Sequence, residues 1–131
     1  MIHVVRLGSP RRKDEGVRFG TVRRPPRGVP RSEFSTRNYY DVWLPELAPS
    51  AALVSSALSQ RWTDSRWRQY ARAYHKEMRQ PAAQHLIAAL AALSHHTHFA
   101  VGCYCEDPLR CHRSLLRQLL GNAGGRVSEL S

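Results

Sequence analysis

The feature that most constrains the fold is a short apolar segment near the start of the chain, IHVVRL, residues 2–7. It is rich in β-branched residues and apolar on both faces, which is typical of a central strand in a sheet covered on both sides. A second such segment, HFAVGCYC, residues 98–105, predicts another strand. By the period-two rule, one face of that strand carries Phe99, Val101, Cys103 and Cys105.

Three helices are predicted between these strands and one after them. Ser50 is a suitable N-cap for the first, the second begins near Thr63 or Asp64, and Pro81 suits the first turn of the third. Helical apolar spacing in the second and last helices is carried by Trp67, Tyr70, Ala71, Tyr74 and Met78 and by Leu115, Leu116, Leu119 and Leu120. The order of elements predicts one domain over residues 1–131, a small α/β sandwich with a mostly parallel sheet.

A basic, proline-rich stretch interrupts this pattern in the first third of the chain. Residues 17–24 are a possible strand or an extended arm, and three prolines and a glycine within residues 25–35 exclude regular structure there. Residues 23–37 are therefore predicted to form a long irregular segment, here called the Pro/Arg loop. Loops of this length are usually functional or disordered.

Charge and cysteine content limit the kind of partner and compartment. The formal net charge is +10, and residues 1–40 hold ten Lys and Arg side chains against three Asp and Glu. This favours phosphate-bearing partners, either a phosphorylated small molecule or nucleic acid. No apolar run is long enough for a membrane span, no signal peptide is expected, and the three clustered cysteines do not resemble a secreted disulfide framework. A cytoplasmic protein is predicted.

The most informative stretch is CYCEDPLRCHRSLL, residues 103–116, where the second strand passes into the last helix. Ligands of parallel α/β proteins collect at such junctions because backbone N–H groups are free there and the helix dipole favours anions. Cys111, His112 and Arg113 fall in the first turns of the helix. His112 is in register with the leucine stripe, so its ring should lean toward the sheet.

Several chemistries fit this stretch. Zinc would have four candidate ligands in Cys103, Cys105, Cys111 and His112, but C-x-C-x5-C-H is not a usual structural-zinc spacing. A catalytic thiol is favoured by the helix N-terminus and the arginines, although the Cys-x5-Arg loop of phosphatases is absent. Two further alternatives are that the cysteines are inert, buried packing residues, or that Cys105 and Cys111 form a local disulfide.

The same residues resemble a known family. The pattern C-x-(acidic or Cys)-x-D-P-x-x-C-H-R-S-L is similar to the signature of the domain-of-unknown-function family 488. PRG at 26–28, WLPELAPS at 43–50 and WRQYARAYHKEM at 67–78 resemble its YeaO-like branch. Two positions depart from the pattern: Cys105 replaces the acidic residue common in the family, and the Asp and Trp of the branch's D-R-L-W-P-R-G are absent, whereas Arg23, Arg27 and Gly28 match.

The resemblance implies a three-layer, Rossmann-like α/β domain and a site formed by Cys103, Cys111, His112 and Arg113. Arg23, Arg27, Tyr74 and Glu77 are expected to join it. The family name assigns no reaction and implies no cofactor. A packing role is the alternative for the distant matches: Trp43, Trp67, Tyr70 and Tyr74 as core aromatics, and Glu77 as the ion-pair partner of an arginine.

Three functional hypotheses follow from the sequence. In the first, Arg113 and the helix N-terminus hold the phosphate of a nucleotide or other phosphorylated ligand and Arg23 or Arg27 closes over it, while Cys103 or Cys111 acts with His112 as nucleophile or acid/base. In the second, the basic N-terminal third is a non-catalytic nucleic-acid-binding module. In the third, the domain is structural and the cysteines are inert.

Overall fold

A computed structural model, which describes residues 1–130, contains one five-stranded sheet in which every pairing is parallel. The strands are β1 Ile2–Arg6, β2 Val17–Gly20, β3 Val42–Trp43, β4 Phe99–Cys103 and β5 Val127–Leu130, in the spatial order β3-β2-β4-β1-β5. Strand β4 lies at the centre of the sheet and all five of its residues are buried. The prediction of a Rossmann-like α/β sandwich with a parallel sheet is confirmed.

Four helices accompany the sheet: α1 Ala51–Ser59, α2 Asp64–Glu77, α3 Pro81–Leu93 and α4 His112–Asn122. Local sequence signals fix the starts of α1, α2 and α3, as predicted. The hydroxyl of Ser50 accepts a hydrogen bond from the Leu53 amide and that of Thr63 from the Arg66 amide, which satisfies N–H groups that have no partner within the helix. None of the helices in residues 1–130 has the length and apolar character that a membrane crossing requires.

The main core lies between the helices and one face of the sheet. Val4, Phe99 and Val101 of the sheet pack there with Tyr74 of α2, and aliphatic side chains of α3 and α4 complete the cluster. Burial of each large apolar side chain contributes about 1.5–3 kcal/mol. The predicted helical stripes therefore face the sheet, and α4 is held against its centre.

The opposite face of the sheet is covered by irregular chain, which forms the third layer. Arg18 of β2 points to this side, since its neighbour Phe19 packs against the helix-side core. Its guanidinium is completely buried, forms two hydrogen bonds with the Glu15 carboxylate, and donates to the carbonyl oxygens of Ser9 and Asn38. Through these contacts the Arg18 guanidinium joins the segment after β1 to the segment before β3.

Some sequence expectations are corrected by the structure. Strand β2 ends at Gly20, so residues 21–24 are not part of it, and β5 was not predicted. Strand β4 ends at Cys103, so the expectation that Cys105 shares a strand face with Phe99, Val101 and Cys103 is wrong: Cys105 is exposed beyond the strand end. Trp43 is not a core aromatic either, because 41% of it is exposed and its indole N–H donates to the Val22 carbonyl at the edge of the sheet.

Asp41 holds the third layer to β2 and gives the fold a predicted pH dependence. Partial burial would raise the pKa of Asp41, but hydrogen bonds from Arg11, Ser35 and the Arg18 amide outweigh this and lower it to about 2. A carboxylate with a lowered pKa stabilises the fold above its unfolded-state pKa, and the contribution is lost as pH falls through the folded-state pKa. The difference in unfolding free energy between wild type and Asp41→Asn should therefore shrink between about pH 4 and pH 2. A constant difference in urea titrations over this range would contradict the assignment.

Candidate functional site

The cysteine-rich stretch lies at the carboxyl end of the central strand. Cys103 is the last residue of β4, Cys111 is the N-cap residue of α4, and His112 and Arg113 are the first two residues of that helix. Asp107 accepts a hydrogen bond from the Leu109 amide and starts a short 3₁₀ turn, Pro108–Arg110, which returns the chain to the sheet. The strand end, the tight turn and the helix start thereby bring Cys103 and Cys111, which are eight residues apart in the sequence, into contact.

The sulfur atoms of Cys103 and Cys111 are the closest pair in the site, with Sγ atoms 2.6 Å apart. Both side chains are buried, at 1% and 2% exposure, whereas Cys105 is exposed, and all three cysteines are free. The expected partner of Cys111 in a local disulfide was Cys105. In the structure the Cys111 sulfur lies directly against that of Cys103 and also contacts Cys105.

His112 is oriented by a backbone hydrogen bond. Its Nε2 donates to the carbonyl oxygen of Thr21, at the end of β2, over 2.6 Å. Because a carbonyl only accepts, the proton of the neutral ring is on Nε2 and the lone pair is on Nδ1, which lies 3.7 Å from the Cys111 sulfur. Burial lowers the pKa of His112, so the neutral ring is the favoured form. The ring packs against Tyr74, whose hydroxyl donates to the Leu47 carbonyl.

Arg113 is a buried cation that lacks a full set of partners. Only 1% of the residue is exposed, and neither its Nε nor its Nη1 has a hydrogen-bond partner. Within residues 1–130 the ion pairs join Arg6 to Glu106, Arg11 to Asp41, Arg18 to Glu15 and Arg110 to Asp64, and none involves Arg113. A buried charge of this kind is costly unless an anion accompanies it. No carboxylate of residues 1–130 balances this charge, which leaves a ligand anion or a neighbouring cysteine thiolate to do so.

The pKa values of the three cysteine thiols are shifted in different directions by their surroundings. Contact with Cys103 and Cys111 lowers the pKa of Cys105, with further contributions from His112 and Arg113. Contact with Cys105 raises the pKa of Cys103, and burial together with the two neighbouring sulfurs raises the pKa of Cys111. Of the three sulfurs, the exposed Cys105 sulfur is therefore the one whose surroundings favour the thiolate form.

Two aromatic side chains, Trp67 and Tyr70, stack on each other near the thiols. The sequence analysis assigned both only to the core. Tyr70 is buried as expected and stacks on the half-buried Trp67, and burial, followed by the nearby cysteines, raises the pKa of Tyr70. Arg110 of the 3₁₀ turn lies over the Trp67 ring and pairs with Asp64. The sequence analysis did not single out Arg110, the residue directly before Cys111, as a contact of this aromatic group.

The arginine and glutamate expected from the family resemblance lie elsewhere. Arg23 donates to the carbonyl oxygens of Pro45, Ala48 and Pro49, and Glu77 accepts from the Ser50 amide at 2.8 Å. Both line a cleft of about 470 Å³ whose lining includes none of the cysteines. Glu77 thus caps the start of α1, and within residues 1–130 it forms no ion pair with an arginine.

Of the remaining expected residues, Tyr74 contacts the site and Arg27 does not. Tyr74 is fully buried and supports the His112 ring, as a core aromatic would. Arg27 is exposed on the Pro/Arg loop, next to Gly28, whose positive φ of 71° forms a turn. The structure therefore brings together Cys103, Cys105, Cys111, His112, Arg113 and Tyr74, and separates Arg23, Arg27 and Glu77 from them.

Fold and site together define a class: a small Rossmann-like α/β domain with a Cys, Cys, His and Arg group buried at the carboxyl end of its central strand. The family model DUF488-N3a, described as the active DUF488-N3 subclade, matches residues 2–124. The chain therefore belongs to the domain-of-unknown-function family 488, which confirms the resemblance. No significant match was found among curated proteins or among solved structures.

Proposed function

We propose that this domain binds the phosphate of a nucleotide or another phosphorylated small molecule at Arg113 and the N-terminus of α4. The observation that supports this most strongly is the buried Arg113 guanidinium with two unpartnered N–H-bearing nitrogens. A forked guanidinium recognises phosphate through paired hydrogen bonds, and the first turn of a helix adds free N–H groups and a favourable dipole. None of the carboxylates in residues 1–130 forms an ion pair with this cation.

A thiol of the same junction is proposed as the reacting group. The Nδ1 lone pair of His112 faces the Cys111 sulfur, so the ring can accept the thiol proton as the sulfur bonds to an electrophilic atom of the ligand. The bond from that atom to the ligand's leaving group breaks in the same step, the leaving group departs with the electron pair, and the His112 imidazolium can return the proton to it. The Thr21 carbonyl keeps the ring in this tautomer. The description of the matched subclade as active is consistent with an enzyme.

The direct test is a panel of inorganic phosphate, pyrophosphate and nucleotides, measured by thermal unfolding and calorimetry on the reduced protein. At least one phosphorylated class should raise the unfolding midpoint, since a ligand that binds only the folded state stabilises it. Cys111→Ser should keep this rise, because a hydroxyl replaces the thiol at similar size, and should lose any turnover. Absence of a rise with every phosphorylated compound would refute the proposal.

Timed alkylation by iodoacetamide distinguishes a reactive thiol site from inert packing. Exposed Cys105 should react first, and Cys103 and Cys111 much more slowly because they are buried. Addition of a phosphorylated ligand should alter the rate at Cys105, since the ligand would bind beside it. Equal, slow labelling of all three thiols with and without ligand would favour the inert structural domain.

A second candidate function, nucleic-acid binding, is favoured by a different observation. Arg24, Arg27, Arg31 and Arg37 of the Pro/Arg loop are exposed. In contrast, Arg11, Arg18 and Arg23 are held by Asp41, Glu15 and backbone carbonyls. Replacing Arg24, Arg27 and Arg37 together by Ala should reduce the salt slope of oligonucleotide binding by about 2 to 3. A salt-independent signal, or no binding to any oligonucleotide, would reject this function.

A further inference from the structure

Three buried atoms of the site form a set of metal-binding donors. The Sγ atoms of Cys103 and Cys111 and a ring nitrogen of His112 all lie within 4.8 Å of one another, and all three residues are buried. Thiolate and imidazole are the ligands that zinc and other thiophilic cations prefer, and two cysteines with one histidine occur in zinc sites with an open fourth position.

We propose that Cys103, Cys111 and His112 bind one zinc ion or a similar thiophilic divalent cation and leave its fourth coordination position open. The site is independent of phosphate binding by Arg113. The ligands belong to two elements, the end of β4 and the start of α4, so a bound ion would join the central strand to the helix.

The distance between Cys111 and His112 fits a shared ion. With zinc–sulfur and zinc–nitrogen bonds of about 2.3 and 2.0–2.1 Å, a tetrahedral site separates sulfur from nitrogen by about 3.6 Å and sulfur from sulfur by about 3.8 Å. The Cys111 sulfur and Nδ1 of His112 are 3.7 Å apart. The two sulfur atoms, 2.6 Å apart, need to separate by about 1.2 Å, which small cysteine rotations can supply.

The histidine is already fixed in the form that a metal requires. Ligating histidines usually donate their second ring N–H to a carbonyl or carboxylate, which orients the ring. In this site the Thr21 carbonyl accepts from Nε2 and leaves Nδ1 free on the side of Cys111. The hydrogen bond that usually orients a metal-ligating histidine is therefore present, between Nε2 of His112 and the Thr21 carbonyl.

Metal occupancy would change the chemistry of the junction. A cation bound to the Cys111 sulfur occupies the electron pair that thiol catalysis needs, so zinc should suppress the reaction proposed above. Two thiolates and a dication cancel in charge and leave Arg113 uncompensated, so phosphate binding should persist in the metal-bound protein.

The test is anaerobic titration of the reduced full-length protein with Co²⁺ and Zn²⁺, followed by native mass spectrometry. One equivalent of Co²⁺ should give the thiolate charge-transfer and intense visible bands of a tetrahedral site, and Zn²⁺ should displace it. Cys103→Ser, Cys111→Ser and His112→Ala should each weaken binding by at least about tenfold. Cys105→Ser is the matched control and should still bind one ion. Loss of binding in this control would overturn the three-ligand assignment.

X-ray absorption of the wild-type zinc form keeps the proposal testable if the variants do not fold. The expected coordination is two sulfur ligands with imidazole. A shell of oxygen and nitrogen alone, or a chain that retains no ion after passage over a weak chelator, would refute the site. Phosphate binding is measured separately in the metal-free protein, so failure of one proposal does not decide the other.

Discussion

Replacement of Glu15 by Gln should lower the free energy of unfolding by about 3–5 kcal/mol, because it leaves the Arg18 guanidinium buried without its counter-charge. Arg18 is completely buried and Glu15 is 1% exposed, and the two side chains share two hydrogen bonds of 2.9 and 3.0 Å. The carbonyl oxygens of Ser9 and Asn38 hold the rest of the guanidinium but carry no full charge. Urea unfolding of the reduced protein, followed by circular dichroism, measures the loss.

The neighbouring carboxylate provides the control. Asp14 is exposed, so Asp14→Asn should change stability by no more than about 0.5 kcal/mol. The double variant Glu15→Gln, Arg18→Met removes both charges and should recover part of the loss, since replacement of a whole buried pair is often tolerated. If Glu15→Gln were as mild as the Asp14 control, the ion pair would not be what holds the third layer.

This ion pair shows what the sequence could not reveal. Residues 9–16 are consistent with an exposed charged loop, and nothing local distinguishes Glu15 from Asp14. The pairing becomes visible only when Arg18 is placed on the face of β2 that the loop covers. Similarly, the excess of basic residues in the first third of the chain suggested one broad positive surface. Several of those arginines instead hold the fold together through carboxylates and carbonyls.

Local sequence signals, by contrast, were sufficient to predict the elements that neighbouring residues determine. The caps at Ser50 and Thr63, proline at the start of α3 and the burial of β4 all follow from neighbouring residues. Strands β3 and β5 are only two and four residues long and sit at the sheet edges, where pairing partners rather than composition define them.

The candidate site could be predicted only in part from local sequence. The junction between β4 and α4 brings Cys103, Cys111, His112 and Arg113 close together, as the strand-to-helix pattern of the sequence predicted. The direct contact of the Cys103 and Cys111 sulfurs depends on where β4 ends, and the orientation of His112 depends on Thr21, which is remote in sequence. Neither could be derived from the motif.

Arg113→Met should leave the stability of the ligand-free protein within about 1 kcal/mol of wild type or raise it, because no carboxylate in residues 1–130 would be left without its counter-charge. The same substitution should weaken phosphate or nucleotide binding by about 2–5 kcal/mol, since it removes a buried charged donor from the ligand. In thermal unfolding, a ligand present at about 100 times its dissociation constant for wild type stabilises wild type by about 2.7 kcal/mol, and at the same concentration this gain should fall to less than about 0.9 kcal/mol in the variant.

Arg117→Met is the matched control on the same helix. Arg117 lies one turn after Arg113, and its Nε donates to the Ser128 carbonyl, so its loss affects packing against β5 and leaves the anion site intact. Arg113→Lys should give an intermediate affinity, because it keeps the charge and loses the fork. If Arg113→Met instead destabilised the ligand-free fold by several kcal/mol while ligand binding survived, the guanidinium would be a structural cation whose counter-charge is the cysteine thiolate beside it.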